Sequence, residues 1–365
     1  MTPKDITAFQ TTFLTWYDAN KRDLPWRRNH DPYLVWLSEV MLQQTQVQTV
    51  LPYFQRFTQA LPNLTALAAV DDAQLLKLWE GLGYYSRARN LKKAAQQLLA
   101  DYDGHFPQTA SELENIIGIG PYTAGAIASI AFEEVVPAVD GNAYRVFSRL
   151  LADDFDISQS KARAHFAQEI QPLLPKKRPG DFNQAVMDLG SSICTTKDPA
   201  CLLCPIQAYC TSYQTGSQLD FPVKTKKIRQ KKVQLIALVI QNDQGAYLLQ
   251  QRPEQGLLGG LTTLPLVALD DLDLAEQTKP QAIQAYFAAN YDLALTQVQD
   301  LKLKPVVHVF THLHWTIHLF AAKLGDPQAD VAYFPGYFVP KAQLGNQAQA
   351  TLQKKLLKRA NLSKK

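Results

Sequence analysis

The chain has 365 residues, 46% of them hydrophobic and 19% charged, with a formal net charge of +4. That length fits two or three domains with well-buried cores, and the composition is that of an ordinary globular protein. The apolar run Leu235 to Ile240 is a strand's length and too short for a membrane span, and "MTPKDITAFQ" lacks the apolar core of a signal peptide. The expectation is a soluble, cytoplasmic chain with no membrane partner.

From Pro3 to about Tyr213 the pattern is helical. In "DPYLVWLSEVMLQQTQVQTVLPYF", Asp31 is a candidate N-cap and Pro32 stands at the first helical position, so a helix is expected over 32–53. On such a helix Val35, Leu42 and Gln43 share a face with Glu39, and Leu37, Val40 and Met41 are apolar on the other side. A helix apolar nearly all round is buried. Glu39 therefore loses hydration, and its pKa should rise until it can hold a proton near neutrality and deliver it. The alternative is a glutamate paired with a buried base such as Arg27. Gln43, Gln44, Gln46 and Gln48 argue against that, because they donate and accept together and suit base edges or a gap in a base stack.

Further helices follow in "LTALAAVDDAQLLKLWEGLGYYSRARNLKKAAQQLLADY", broken at Gly81-Leu82-Gly83. In "ELENIIGIGPYTAGAIASIAF" a short helix (Ser111 to Asn115) should run into Gly118-Ile119-Gly120, with Pro121 opening a second helix. Such a turn can aim backbone N–H groups and a helix dipole at a phosphate, gripping backbone without reading bases. It can equally be a plain helix–helix turn with a glycine cap. "VVPAVDGNAYRVFSRL" ends an apolar stretch at Asp140 before a helix, which makes Asp140 an N-cap whatever else it does. "FNQAVMDLGSSIC" is another helix.

Cys194, Cys201, Cys204 and Cys210 are the only cysteines, spaced C-x6-C-x2-C-x5-C within 17 residues. In a reducing compartment this clustering disfavours disulfides and favours a metal. Zinc and an iron–sulfur cluster both accept four thiolates, and spacing alone does not choose between them. "VKTKKIRQKK" (Val223 to Lys232) then carries six bases and no acid, and the C-terminal "KKLLKRANLSKK" carries six more. Runs of this kind are usually solvated faces or linkers, and phosphate binding is the sharper reading. From Val233 the pattern turns to β. "KVQLIALVIQNDQGAYLLQQR" is two β-rich runs joined by a hairpin at Asn242 to Gly245, and "VVHVFTHLHWTIHLFAAKL" is β-rich too. "KPQAIQAYFAANY" is a short helix between them. His308, His314 and His318 alternate along a β-run as ordinary strand residues do.

The cysteine loop and the G-x-G-P turn resemble the endonuclease III superfamily of helix-hairpin-helix DNA glycosylases. Within it, "LPWRRNHDPYLVWLSEVMLQQTQV", "WEGLGYYSRARNL", "GIGPYTAGAI", "AVDGN" and "FNQAVMDLG", in that order, resemble the MutY-type adenine DNA glycosylases. The likeness covers 1–215 strongly and 233–345 moderately. It implies a multidomain protein: an all-α helix-hairpin-helix glycosylase core with an iron–sulfur loop, plus an α+β Nudix-like C-terminal domain. The expected divisions are 1–215 (hairpin about 111–132, cysteine loop 194–210), a basic linker 216–232, the Nudix-like domain 233–345 and a basic tail 346–365.

The resemblance further implies a monomeric, nucleoid-associated enzyme that acts on double-stranded DNA carrying adenine opposite 8-oxoguanine or guanine. Adenine flips out, because it cannot react inside the stack. Glu39 protonates its N7. Asp140, with Asn142 beside it, stabilises the sugar cation or attacks it transiently, as paired carboxylates do in glycoside hydrolysis. Burial should push Glu39 up and the helix N-terminus should pull Asp140 down. Trp26, Arg27, Leu42, Gln43 and Gln184 line the adenine pocket, while Gln44 and Tyr84 wedge into the duplex. Gly118, Gly120 and Lys197 meet the DNA backbone. Cys194, Cys201, Cys204 and Cys210 hold one [4Fe–4S] cluster. Bifunctional relatives carry a lysine nucleophile where Tyr122 stands, so no efficient strand cleavage is expected. Tyr122 would support the water or a carboxylate through its hydroxyl, or else merely satisfy a backbone carbonyl. In the second domain, "EQGLLGGLTTLP" has Leu258 where tryptophan is usual, and the acidic metal-binding helix of Nudix hydrolases is missing. That domain should therefore bind rather than hydrolyse. Phe310, Thr311 and His312 match a Phe-Ser-His loop that recognises 8-oxoguanine.

Overall fold

The structure is a computed structural model describing residues 2–225, 230–254, 256–326 and 331–362. Lys226, Lys227, Ile228 and Arg229 of the basic stretch, and Lys364 and Lys365 of the tail, lie outside the described residues. Contacts divide the chain into two compact units, Met1–Val70 with Arg89–Lys227 and Asp71–Ala88 with Ile228–Lys365. The sequence order alone had put residues 71–88 with the helical part.

The helices of the first 225 residues are α1 (Pro3–Asn20), α2 (Pro32–Leu42), α3 (Val47–Ala60), α4 (Leu64–Ala69), α5 (Asp72–Leu78), α6 (Ser86–Asp101), α7 (Ala110–Leu113), α8 (Pro121–Ala131), α9 (Gly141–Leu151), α10 (Ala162–Ile170), α11 (Pro179–Ser192) and α12 (Thr211–Gln214). In the first unit, Phe9, Phe13 and Tyr17 of α1 pack with Val146, Phe147 and Leu150 of α9, Phe166 of α10 and Phe182 and Leu189 of α11. Cys194, Cys204 and Cys210 sit at the edge of that core. Asp31 caps α2 as its sequence suggests, accepting from Tyr33 N at 2.9 Å. The expected helix over 32–53 is not continuous. It stops at Leu42, and Gln44 takes a left-handed φ of 59° before α3 begins at Val47. The apolar stripe therefore ends one residue before the glutamines; Gln43, Gln44 and Gln46 form the turn, and Gln48 lies in the first turn of α3.

The second unit holds a mixed sheet: β1 (Lys231–Gln241), β2 (Ala246–Gln251), β3 (Thr262–Thr263), β4 (Leu266–Ala268), β5 (Leu295–Asp300), β6 (Val306–Val309), β7 (Leu313–Leu324) and β8 (Gly336–Pro340). Its main path is β3-β2-β1-β7-β5, with β4 on β1, β6 on β7 and β8 on β2. Central β1 and β7 run parallel, Lys231 opposite Leu313 through Gln241 opposite Lys323. Both faces of β1 are covered, which explains its unbroken apolar run. Leu235 and Ala237 face Leu352 and Leu356 of α14 (Thr351–Arg359), while Ile236, Leu238 and Ile240 face Ile283 and Phe287 of α13 (Lys279–Tyr291). The basic tail is thus partly structural: α14 buries its leucines in the sheet's core and keeps most of its lysines out. Residues 71–88 join this unit through Tyr85, whose hydroxyl donates to Gln349 O at 3.0 Å, and through an ion pair of Glu80 with Lys354 at 2.7 Å. No described helix is long and apolar enough to cross a membrane.

Candidate active site

The 3₁₀ turn Pro25–Arg27, α2, the starts of α8 and α9, and the middle of α11 converge in the first unit on a cavity of about 1360 Å³. Trp26, Arg27, Glu39, Leu42, Gln43, Gln44, Tyr122, Asp140, Asn142 and Gln184 line it together. All ten were singled out from sequence, though they span five segments.

Glu39 is 5% exposed in a helix whose residues from Val35 to Met41 are buried. Burial pushes its carboxyl up to about 7, helped by the like charge of Asp140 and opposed by a hydrogen bond from Tyr122 and the charge of Arg27. The Tyr122 hydroxyl donates to Glu39 Oε2 at 2.5 Å. It serves a carboxylate rather than a backbone carbonyl, and burial holds its own pKa well above the ordinary phenol value. Arg27 does not form an ion pair with Glu39. Its guanidinium clasps Asp188 (Nη1 to Oδ2 2.7 Å, Nη2 to Oδ1 3.2 Å), and Arg22 binds the same carboxylate. Asp188 thereby fixes Arg27 in the cavity wall, so that Arg27 acts on Glu39 through its charge and not as a bonded ion-pair partner.

Asp140 caps α9. Its Oδ1 accepts from the N–H groups of Asn142 and Ala143, each at 2.8 Å, and Oδ2 accepts from Asn142 Nδ2 at 2.7 Å. The cap is as expected, but the direction of its pKa is not. Burial raises the Asp140 carboxyl, and the three donors with Arg145 only oppose the rise. The helix end lies on the cavity wall with Asp140 partly buried, and desolvation of its carboxyl there outweighs a dipole effect measured mostly at surfaces. The two carboxyls are still differentiated by wiring, three donors on Asp140 against one on Glu39. Asn142 is itself held: its Oδ1 accepts from Arg145 Nη2 at 2.9 Å, and Arg145 also reaches Gly190 O and Cys194 O, each at 2.7 Å.

Asp188, Asn183 and Arg145 were missed in the sequence. Asn183 Oδ1 accepts from Ala138 N at 3.1 Å and its amide donates to Ser129 Oγ and Val136 O, which holds the stretch leading to Asp140. Asp188 stands one helical turn after Gln184 and so on its face, a signal that was available.

The hairpin forms between α7 and α8. Gly118 has a φ of +77°, and a Cβ there would lie 2.8 Å from Asn90 Cβ. Gly120 caps α8 with open space where a side chain would be, which leaves room for an anion at this helix N-terminus. Cys194, Cys201, Cys204 and Cys210 line one apolar cavity. Arg149 Nη1 donates to Cys194 Sγ at 3.3 Å. Burial and the neighbouring sulfurs raise the thiols of Cys201 and Cys204, the latter to about 12. No described group of three or more His, Cys, Asp or Glu is gathered to hold a single ion. Four cysteine sulfurs are a donor set that either tetrahedral zinc or an iron–sulfur cluster accepts. Lys197 is exposed in the loop between the first two cysteines.

In the second unit, Phe310, Thr311 and His312 make the tight connection between β6 and β7, closed by Phe310 N to Leu313 O at 2.8 Å. Phe310 packs edge-on against Trp315 and His308, while Thr311 and His312 are exposed. Tyr84, half exposed with a left-handed φ of 46°, belongs to this unit and its hydroxyl lies 3.2 Å from Thr311 Oγ1. Nothing in the sequence pairs two residues 227 positions apart.

The model of the HhH-GPD superfamily of base excision DNA repair proteins matches residues 37–172, and that of the NUDIX domain matches 236–359. The adenine DNA glycosylase of Mus musculus is 36% identical over 406 residues, covering 97% of this chain and 78% of its own. That of Homo sapiens is 33% identical over 410 residues, covering 97% and 74%. Among solved structures, a thermostable thymine-DNA glycosylase aligns with a TM-score of 0.54 and 27% identity over 59% of this chain and 99% of that one. A trapped endonuclease III–DNA covalent intermediate aligns with a TM-score of 0.51 and 23% identity over 59% and 99%, a likeness of fold.

Proposed function

The chain belongs to the adenine DNA glycosylases, base-excision repair enzymes, and from that footing we propose how its cavity cuts the glycosidic bond and which base it reads opposite adenine. The observation that supports the mechanism is the pairing of a buried acid of pKa about 7, held by a tyrosine hydroxyl, with a multiply bonded carboxylate on the same cavity. Adenine swings out of the duplex into this cavity. Protonated Glu39 gives its proton to N7. The C1′–N9 electrons leave with the base, and the positive charge left on the sugar faces Asp140. Asn142 and the α9 backbone keep that carboxylate aimed, and water then adds to C1′. Trp26, Arg27, Leu42, Gln43 and Gln184 shape the pocket. Gly118, Gly120 and Lys197 grip phosphates of the duplex.

The opposite base is 8-oxoguanine in preference to guanine. Thr311 and His312 offer a hydroxyl, an imidazole and backbone amides at one exposed turn, and Tyr84 holds the Thr311 hydroxyl from the side. With a tyrosine at position 122, the site has no desolvated amine to attack the sugar. Lys224, also on the cavity wall, is exposed to water. The test is single-turnover excision from duplexes carrying adenine opposite 8-oxoguanine or guanine, read with and without alkali. The expected product strand stays intact until alkali is added. Thr311→Ala with His312→Ala is expected to reduce the preference for 8-oxoguanine by roughly two- to tenfold per lost contact, and Tyr84→Phe to move it the same way. Cleavage at neutral pH with a borohydride-trapped adduct overturns the monofunctional reading. An unchanged preference in both variants moves the reader elsewhere, with Gln44 the next candidate.

The cysteine cavity takes one [4Fe–4S] cluster, bound by Cys194, Cys201, Cys204 and Cys210. Its chemistry there is to cross-link the loop that carries Lys197. Purified protein is expected to be yellow-brown with about four irons per chain, as cubane ligation requires. A colourless protein with one stoichiometric zinc refutes this.

A further inference from the structure

The basic stretch after the cysteine loop reads in sequence as a free linker, but its first residues and Phe221 just before them are bonded into the catalytic unit. Arg149 Nε donates to Phe221 O at 3.1 Å, and Ile157 N donates to Val223 O at 3.0 Å. Asp156 accepts from Thr225 N at 3.4 Å and from the Thr225 hydroxyl. The same carboxylate takes Ser158 N at 2.8 Å and Ser158 Oγ at 2.6 Å. These donors hold Asp156 well below the usual carboxylate range, so it is ionised throughout the working range. Lys224 is thus flanked by two anchored residues, and it lines the same cavity as Glu39, Asp140, Ile157 and Arg163.

We propose that Lys224 is a DNA-phosphate contact at the mouth of the base-accepting cavity, and that Asp156 is its positioning residue through the clasp on Thr225. The Asp140 carboxylate on this cavity repels a polyanion, so positive charge at the rim favours entry of a nucleotide. Rotating a nucleotide out of the stack carries its flanking phosphates to that rim. Arg22, another base on this wall, is taken up by Asp188. No ion pair among the described residues takes up Arg163 or Lys224. A lysine acts here as a point charge on phosphate, positioning the strand and carrying no sequence information.

The inference rests on the cavity being the adenine site, but its test reads binding alone, so it stands or falls apart from the roles of Glu39 and Asp140. The full-length protein is titrated onto a labelled duplex whose target adenosine is 2′-fluorinated, so that it binds without being cut. The slope of log Kd against log salt is measured between about 50 and 200 mM. Lys224→Gln is expected to reduce that slope by about one, and Lys224→Arg to restore it. Asp156→Ala and Thr225→Val should each reproduce the loss, and neither should deepen it when combined with Lys224→Gln. Arg163→Gln should add its own loss of about one. Where Asp156→Ala melts early, Thr225→Val, which keeps the carboxylate and its Ser158 bonds, decides the point. An unchanged slope in Lys224→Gln overturns the contact. Losses that sum between Thr225→Val and Lys224→Gln overturn the clasp.

Discussion

Glu39→Gln is expected to bind the mispair and to excise adenine about a hundredfold more slowly or worse, the scale on which a general acid works. Glutamine keeps the shape and can still accept from Tyr122, so the change isolates the proton. The same substitution should stabilise the protein, and the gain should depend on pH. The folded-state pKa of Glu39 is about 7 against an ordinary 4.5, so the native chain holds a proton that the unfolded chain has released. Stability from this group is therefore fully present below pH 4.5, is lost as pH rises toward 7, and stays low above that. The span corresponds to about 3 kcal/mol. Denaturant melts of wild type and variant at pH 4.5 and pH 8 should differ by a quantity of that order, with the variant favoured at the higher pH. Wild-type single-turnover excision should decline as pH passes about 7. A stability difference that ignores pH would mean that burial does not hold the proton, and undiminished excision by the variant would remove Glu39 from the mechanism.

Asp140→Asn is expected to slow excision by roughly 10²- to 10³-fold, the usual loss when one preorganised charge is removed from a developing ion. One side-chain oxygen can still cap α9. The new amide, however, meets Asn142 Nδ2, a donor that now has no carboxylate to satisfy it. Affinity for an uncut mispair duplex should survive, because the charge matters only once the sugar becomes cationic. The variant also carries an internal check. Asp140 is one of the influences that raise Glu39, so its neutralisation should move the alkaline limb of residual activity to lower pH. A limb that stays in place would show that the two carboxyls do not feel each other across the cavity. An excision rate near wild type would leave the sugar cation to some other group.

Much of this site was legible from the chain alone, because local rules act locally. Asp31 before Pro32 announces the start of α2. An apolar run wrapping all sides of that helix forces burial on Glu39, and burial alone raises a carboxyl. The G-x-G-P turn, the capping aspartate and the cysteine spacing are also properties of short segments. Register errors came where two local signals met. A helical stripe reached the glutamines, and only the observed backbone shows Gln44 in a left-handed turn.

The remaining features needed the tertiary structure, because they depend on which distant groups meet. Whether Arg27 neutralises Glu39 depends on Asp188, and that carboxylate takes the guanidinium. Whether Asp140 titrates low depends on a balance between its donors and its desolvation, and burial at the end of α9 is invisible from a capping motif. Helical periodicity assigns residues 71–88 to the helices around them, yet Tyr85 and Glu80 bond to the sheet unit and Tyr84 meets Thr311. A run of lysines reads as solvated linker until Asp156 is seen holding Thr225. Composition and period determined the elements and the burial of Glu39, and the resemblance to a known family supplied the roles of Asp140, the pocket residues and the cysteines. Three-dimensional neighbours, through desolvation and long-range hydrogen bonds, decided which charges are neutralised and which are left to act.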